Sequence, residues 1–153
     1  MFQTFLDTQV GALIIEGTRD FVTSIQYARS KTAEGKSCAL LNTARKELRD
    51  YFAGKRTEFD LPFDLSMGTP FQRSVWMGLT KITFGETTTF TELARAIGRP
   101  TAQRAVGRAA AANPLIIVIP CHRVLSASGK LSGYRGGLKA KEWLLQHESA
   151  VLM

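Results

Sequence analysis

Cys121, His122 and Arg123 stand side by side in NPLIIVIPCHRV, residues 113–124, where a thiol, an imidazole and a guanidinium meet. A thiol attacks carbon only as its thiolate, a small fraction at neutral pH unless basic or cationic neighbours raise it. His122 can serve Cys121 directly or through a water, and Arg123 adds positive charge. A lone cysteine after an apolar run is also commonly an inert core residue. Cys38 fits that description, because nothing near it would activate a thiol. Neither cysteine belongs to a C-x-x-C pattern, and the only histidines are His122 and His147. No disulfide or metal site is expected, and a reduced, cytoplasmic protein is the default.

These residues need a rigid support. The run Leu115–Ile119 reads as a buried strand that Pro120 ends. Downstream, SASGKLSGYRGG is a Gly/Ser-rich loop able to close over a pocket. Upstream, Thr69, Pro70 and Gln72 supply an N-cap, an N1 proline and a capping-box partner. Phe71, Val75, Trp76, Leu79 and Ile82 then form the buried stripe of a helix. Thr89 and Glu92 repeat the capping pattern before Phe90, Leu93, Ala94 and Ile97, and GRP at 98–100 ends that helix. A third helix, about Thr101 to Ala112, stops at Asn113–Pro114. The pair suggests a helix-turn-helix. The third helix is nearly all alanine and glycine, with Arg104 and Arg108 one turn apart on one side. It reads either as a tightly packed core helix with two solvated arginines or as a helix stripped of bulk to approach DNA.

The first half differs. ALIIEG and FVTSIQYA flank turn residues 17–20 and suggest a hairpin. Leu40, Leu41, Ala44, Leu48, Tyr51 and Phe52 recur at helical spacing, with Gly54 as the stop. TEFDLPFDLSMG reads as an extended connection, which places the domain boundary between residues 66 and 67. With 153 residues there is room for two small domains. No apolar run is long enough to cross a bilayer, and MFQTFLDTQ lacks the basic-then-apolar order of a signal peptide.

The net charge of +7 is unevenly placed. Residues 1–69 hold nine basic and nine acidic side chains, whereas residues 70–153 hold eleven basic and four acidic. The excess is either a solubilising surface or the footprint of a polyanionic partner, with nucleic acid first.

RAVGRAAAANP, IPCHRV and GYRGGLKAKEWLLQHE together resemble the O6-alkylguanine-DNA alkyltransferase family. The resemblance continues through GTPFQRSVW and FGETTTFTELARAIGRP, and YFAGKRTEFDLP is similar to the family's N-terminal domain. It implies an α/β ribonuclease H-like domain over 1–66 and a mainly α, winged-helix-like domain over 67–153 that binds DNA and transfers the alkyl group. The implied partner is double-stranded DNA carrying O6-alkylguanine, entered from the minor groove, with the damaged base flipped into a pocket. Cys121 would attack the alkyl carbon once and irreversibly, so no cofactor is needed. His122 would take the thiol proton through a water, Glu148 would orient the histidine, and Asn113 would brace the turn beneath. Arg104 would fill the gap left in the base stack, with further DNA contacts at Phe90, Thr91, Arg99, Ala102 and Ala105. Tyr134, the backbone of Arg135 and the carbonyls of Val124 and Cys121 would line the base pocket.

Two departures from the pattern stand out. Phe90 replaces the family's tyrosine, and the zinc cluster of some relatives has no counterpart. Competing readings are a lesion-binding module without chemistry, a cysteine hydrolase and a plain helix-turn-helix regulator. Cys121 argues against the first, a hydrolase would turn over, and a regulator leaves PCHR unexplained.

Overall fold

The computed structural model describes residues 1–28, 35–131 and 133–152. They fall into two compact units, Met1–Leu65 and Ser66–Met153. The division lies one residue before the expected boundary.

In the first unit, β1 (Phe2–Thr8), β2 (Gly11–Gly17) and β3 (Val22–Tyr27) form an antiparallel sheet in sequence order. The expected hairpin is β2–β3, and β1 is an addition that the sequence reading did not assign. Alternation along β2 buries Leu13 and Ile15 completely. Helix α1 (Ala39–Phe52) covers that face with Leu41, Ala44, Leu48 and Tyr51. Arg45 Nε on α1 donates to the Phe5 carbonyl at 2.7 Å, and Gly54 closes the helix with φ 76°. The connection that follows is extended and anchored: Val22 N–H donates to Pro62 O, and Asp64 N–H donates to Val22 O.

The second unit holds helices α2 (Pro70–Leu79), α3 (Phe90–Ala96), α4 (Gln103–Ala111) and α5 (Leu138–Leu152). Both capping-box bonds at Thr69 are present. At α3 only the Thr89 side-chain bond to Glu92 N–H forms, because Glu92 Oε2 accepts from Thr88 instead. Ile82 was expected on the stripe of α2, but that helix stops at Leu79 and Ile82 lies beyond it. Gly98, with φ 77°, turns the chain between α3 and α4. Trp76 is buried and donates from Nε1 to the Ala109 carbonyl at 2.8 Å, which ties α2 to α4. The described strands here are β4 (Thr88–Thr89) and β5 (Val124–Leu125), a short parallel pair.

The expected strand at 115–119 does not form. Leu115, Ile116, Ile117 and Ile119 are buried, but the chain folds back on itself in a tight turn. Ile119 N–H donates to Leu115 O, Val118 N–H to Ile116 O and Cys121 N–H to Ile119 O. Ile117 sits in the left-handed region at φ 73°, which costs a β-branched residue roughly 1–3 kcal/mol. Apolar periodicity alone does not separate a buried turn from a buried strand, and burial of this cluster offsets the strain.

Candidate active site

Asn113 organises the turn from its centre. Its Nδ2 donates to Ile119 O at 2.7 Å and its Oδ1 accepts from Leu115 N–H at 2.9 Å. It is buried, so Leu115 N–H would otherwise lack a partner, and Ile119 O would keep the Cys121 N–H bond alone. The same side chain also reaches the Cys121 thiol. The turn therefore delivers Cys121 to the start of a single 3-10 turn, Cys121–Arg123, as a half-buried residue, while Cys38 is buried.

Behind the thiol lies a charged cluster that α5 supplies. Ala140, Lys141, Leu144 and Glu148 share the buried face of this helix. His122 Nε2 lies 2.7 Å from Glu148 Oε2. Arg123 donates from Nε to Glu148 Oε1 at 2.8 Å and from Nη2 to Oε2 at 3.0 Å. Its Nη1 donates to Ile82 O at 2.7 Å, and Gly85 N–H donates to Glu148 at 3.3 Å. Burial alone would raise the Glu148 carboxyl, but bonds from His122 and Arg123 outweigh it and hold the group well below the ordinary carboxylate range. Glu148 is thus ionised and accepts, which assigns the histidine's proton to Nε2. Nδ1 is left as a lone pair, buried and without a hydrogen bond among the described residues. Burial, partly countered by Glu148, lowers the His122 pKa, so the ring is neutral at rest and able to take a proton.

Lys141 was absent from the sequence-level assignments. It is 1% exposed, and its Nζ donates to Val124 O at 2.6 Å. Burial lowers its pKa, and the negative charge available at Cys121 opposes that shift. At the thiol itself, burial pushes the pKa up, while Asn113, then Lys141, and more weakly Arg135, favour the thiolate. The signal was available: a lysine seven residues before Glu148 returns to the same helical face.

The cleft above Cys121 brings together Phe90, Asn113, Tyr134 and Arg135 from the expected set. Gly107, Ala110, Ala111, Ile116 and Gly133 complete its walls. An inner space of about 30 Å³ lies at the sulfur, and an outer cleft of about 530 Å³ opens between Phe90, Gly107, Tyr134 and Arg135. Val124 is buried and is not on these walls; its carbonyl already accepts from Lys141. Thr91, Arg99, Ala102 and Ala105 stand outside the pocket, and Ala102 is the N-cap of α4. Arg104 projects exposed from the first turn of α4. Ser132, within the expected closing loop, lies outside the described residues.

Two family models match the chain. Residues 1–65 match the ribonuclease-like domain of 6-O-methylguanine DNA methyltransferase, and residues 70–150 match its DNA-binding domain. A methylated-DNA–protein-cysteine methyltransferase of Mycolicibacterium paratuberculosis is 44% identical over 148 residues, covering 94% of this chain and 89% of the relative. Mycobacterium tuberculosis OGT, solved in complex with DNA, superposes with a TM-score of 0.90 at 40% identity, covering 99% of this chain and 94% of that one. An O6-methylguanine DNA methyltransferase from Methanococcus jannaschii gives a TM-score of 0.69 at 26% identity, covering 95% and 93%. A thiol set between a bare helix and a buried His–Glu–Arg cluster, with both halves matched in order, places the chain in the 6-O-methylguanine DNA methyltransferase family.

Proposed function

We propose that this chain repairs DNA by moving the alkyl group from O6 of guanine to Cys121, one lesion per molecule. The observation that carries the reading is a half-buried cysteine lining a cleft beside α4, backed by a proton acceptor whose tautomer is fixed. The Cys121 proton passes through a water to Nδ1 of His122, and ionised Glu148 stabilises the resulting imidazolium. The sulfur attacks the alkyl carbon in line, the C–S bond forms, and the C–O bond breaks with its electron pair on guanine. The departing base takes up one proton, so a thiol and an alkylguanine become a thioether and guanine. The thiol is itself the acceptor, and the balanced reaction contains no cofactor.

No described residue of the cleft is built to break a thioether, which makes the transfer stoichiometric. O4 of thymine carries the same alkyl–oxygen bond and is open to the same displacement. In this reading α3 and α4 form a helix-turn-helix, and the short β4–β5 pair completes a winged-helix-like reader. Small residues let α4 approach the backbones of a minor groove only ~6 Å wide. Arg104 fills the space that the flipped base vacates, and Phe90, Thr91, Arg99, Ala102 and Ala105 contact the DNA around it. Tyr134 and Arg135 enclose the flipped base. Intact-mass measurement after exposure to O6-methylguanine DNA tests the reading: one methyl group per chain is expected, and repeated turnover would refute it.

A further inference from the structure

Helix α4 has two unlike flanks on either side of Arg104. At about 100° per residue, Gly107 and Ala111 share one flank, and both line the cleft that leads to Cys121. Ala105 and Arg108 share the other flank. There they line a second cleft of about 230 Å³, closed by Thr69 and Gln72 at the start of α2. The Arg108 side chain is exposed and makes no hydrogen bond or ion pair among the described residues. It is also the only charged residue on this cleft's lining.

We propose that the second cleft seats a backbone phosphate of the DNA strand opposite the damaged base, with Arg108 as its cation. The assignment rests on α4 being the helix that enters the minor groove. A helix lying along a groove has one strand on each flank. The flank of Gly107 and Ala111 opens to the thiol, so the strand that surrenders its base runs there. The intact strand then passes Ala105 and Arg108. The alanine lets the backbone approach, and the guanidinium fork matches the paired oxygens of a phosphate. Arg108 also stands in the last turn of α4, where a cation complements the helix carbonyls. That contribution alters the melting temperature and has no preference between strands.

A single neutral methylphosphonate, walked along each strand of an O6-methylguanine duplex, separates these roles. Binding is compared between the full chain and its Arg108→Ala variant, both carrying Cys121→Ser so that the lesion survives the titration. At the seated position the neutral linkage should weaken the arginine protein roughly five- to tenfold at 0.1 M salt and flatten its salt slope by about 0.9. The same linkage should cost the Arg108→Ala protein nothing further, and the position should lie opposite the lesion. A sensitive position on the damaged strand overturns the assignment, as does the absence of any position that distinguishes the two proteins. Failure of the underlying reading looks different: a minor-groove ligand such as distamycin would not displace the chain from DNA, and the strand assignment would fall with it.

Discussion

Replacing Cys121 with serine separates binding from chemistry. An alcohol ionises far less readily than a thiol, so Cys121→Ser should bind DNA and transfer nothing. Peptide mapping of the unaltered chain should find the methyl group on Cys121 and none on buried Cys38. Glu148 has a separate signature in pH. Its carboxyl is depressed in the folded chain, so its stabilisation is complete above the ordinary value of 4.5 and is lost as pH falls toward the folded value. His122 is also lowered, so stability begins to fall below its ordinary 6.5, where the unfolded ring binds a proton first. Melting curves should therefore show two acid limbs, with Glu148→Gln removing the lower one. That variant leaves Arg123 buried beside a neutral amide, at a cost of about 3–5 kcal/mol. Phe90 is the third case. It lines the pocket without a hydroxyl, and one hydrogen bond to the departing guanine anion is worth roughly 1.5–3 kcal/mol. Phe90→Tyr should speed single-turnover transfer about ten- to a hundredfold, with little change in melting temperature. Rapid-quench assays of the two proteins decide this, and an equal or slower rate would show that Phe90 is no handicap.

Among the elements, the turn at 113–120 is the one that sequence reading misjudged. Leu115–Ile119 carries the composition of a buried strand, yet its backbone bonds close within the segment through Asn113. Nothing in a run of branched apolar residues announces a left-handed isoleucine. Caps were legible because a cap is local: Thr69, Pro70 and Gln72 determine the start of α2 by themselves. The α5 side of the site was half legible. Glu148 came through family resemblance, whereas Lys141 was passed over because a charged side chain in an amphipathic helix is ordinarily solvated. Asn113→Ala should leave Leu115 N–H unpaired, at roughly 1–3 kcal/mol, and Ile119 O with the Cys121 N–H bond alone. Thermal melts should show that loss together with slower methyl transfer, because the thiol's hydrogen-bond partner goes with it.

Across the whole molecule, charge is the property with the widest reach. Residues 70–153 carry the entire excess of seven positive charges. Each phosphate neutralised on duplex DNA contributes about −0.9 to the slope of log affinity against log salt. Binding should weaken steeply between low and physiological salt, and a flat response would contradict the charge distribution. Within the same domain, Arg104→Ala should reduce repair more than binding, since its place is in the stack. Equal losses would make it an ordinary phosphate contact. No helix among the described residues is long and apolar enough to cross a membrane.

The Glu148 carboxylate has an evolutionary consequence. It joins α5 to His122, to Arg123 and, through Gly85, to the segment before α3. A lineage under selection only to stay folded would retain this glutamate and its arginine after repair had ceased to matter. Cys121 is half-buried and its side chain ties no two elements together by an ion pair, so it can be exchanged at smaller cost than Glu148. Descendants that have abandoned chemistry should therefore differ first at the cysteine, with the cluster behind it surviving as a fossil of the reaction.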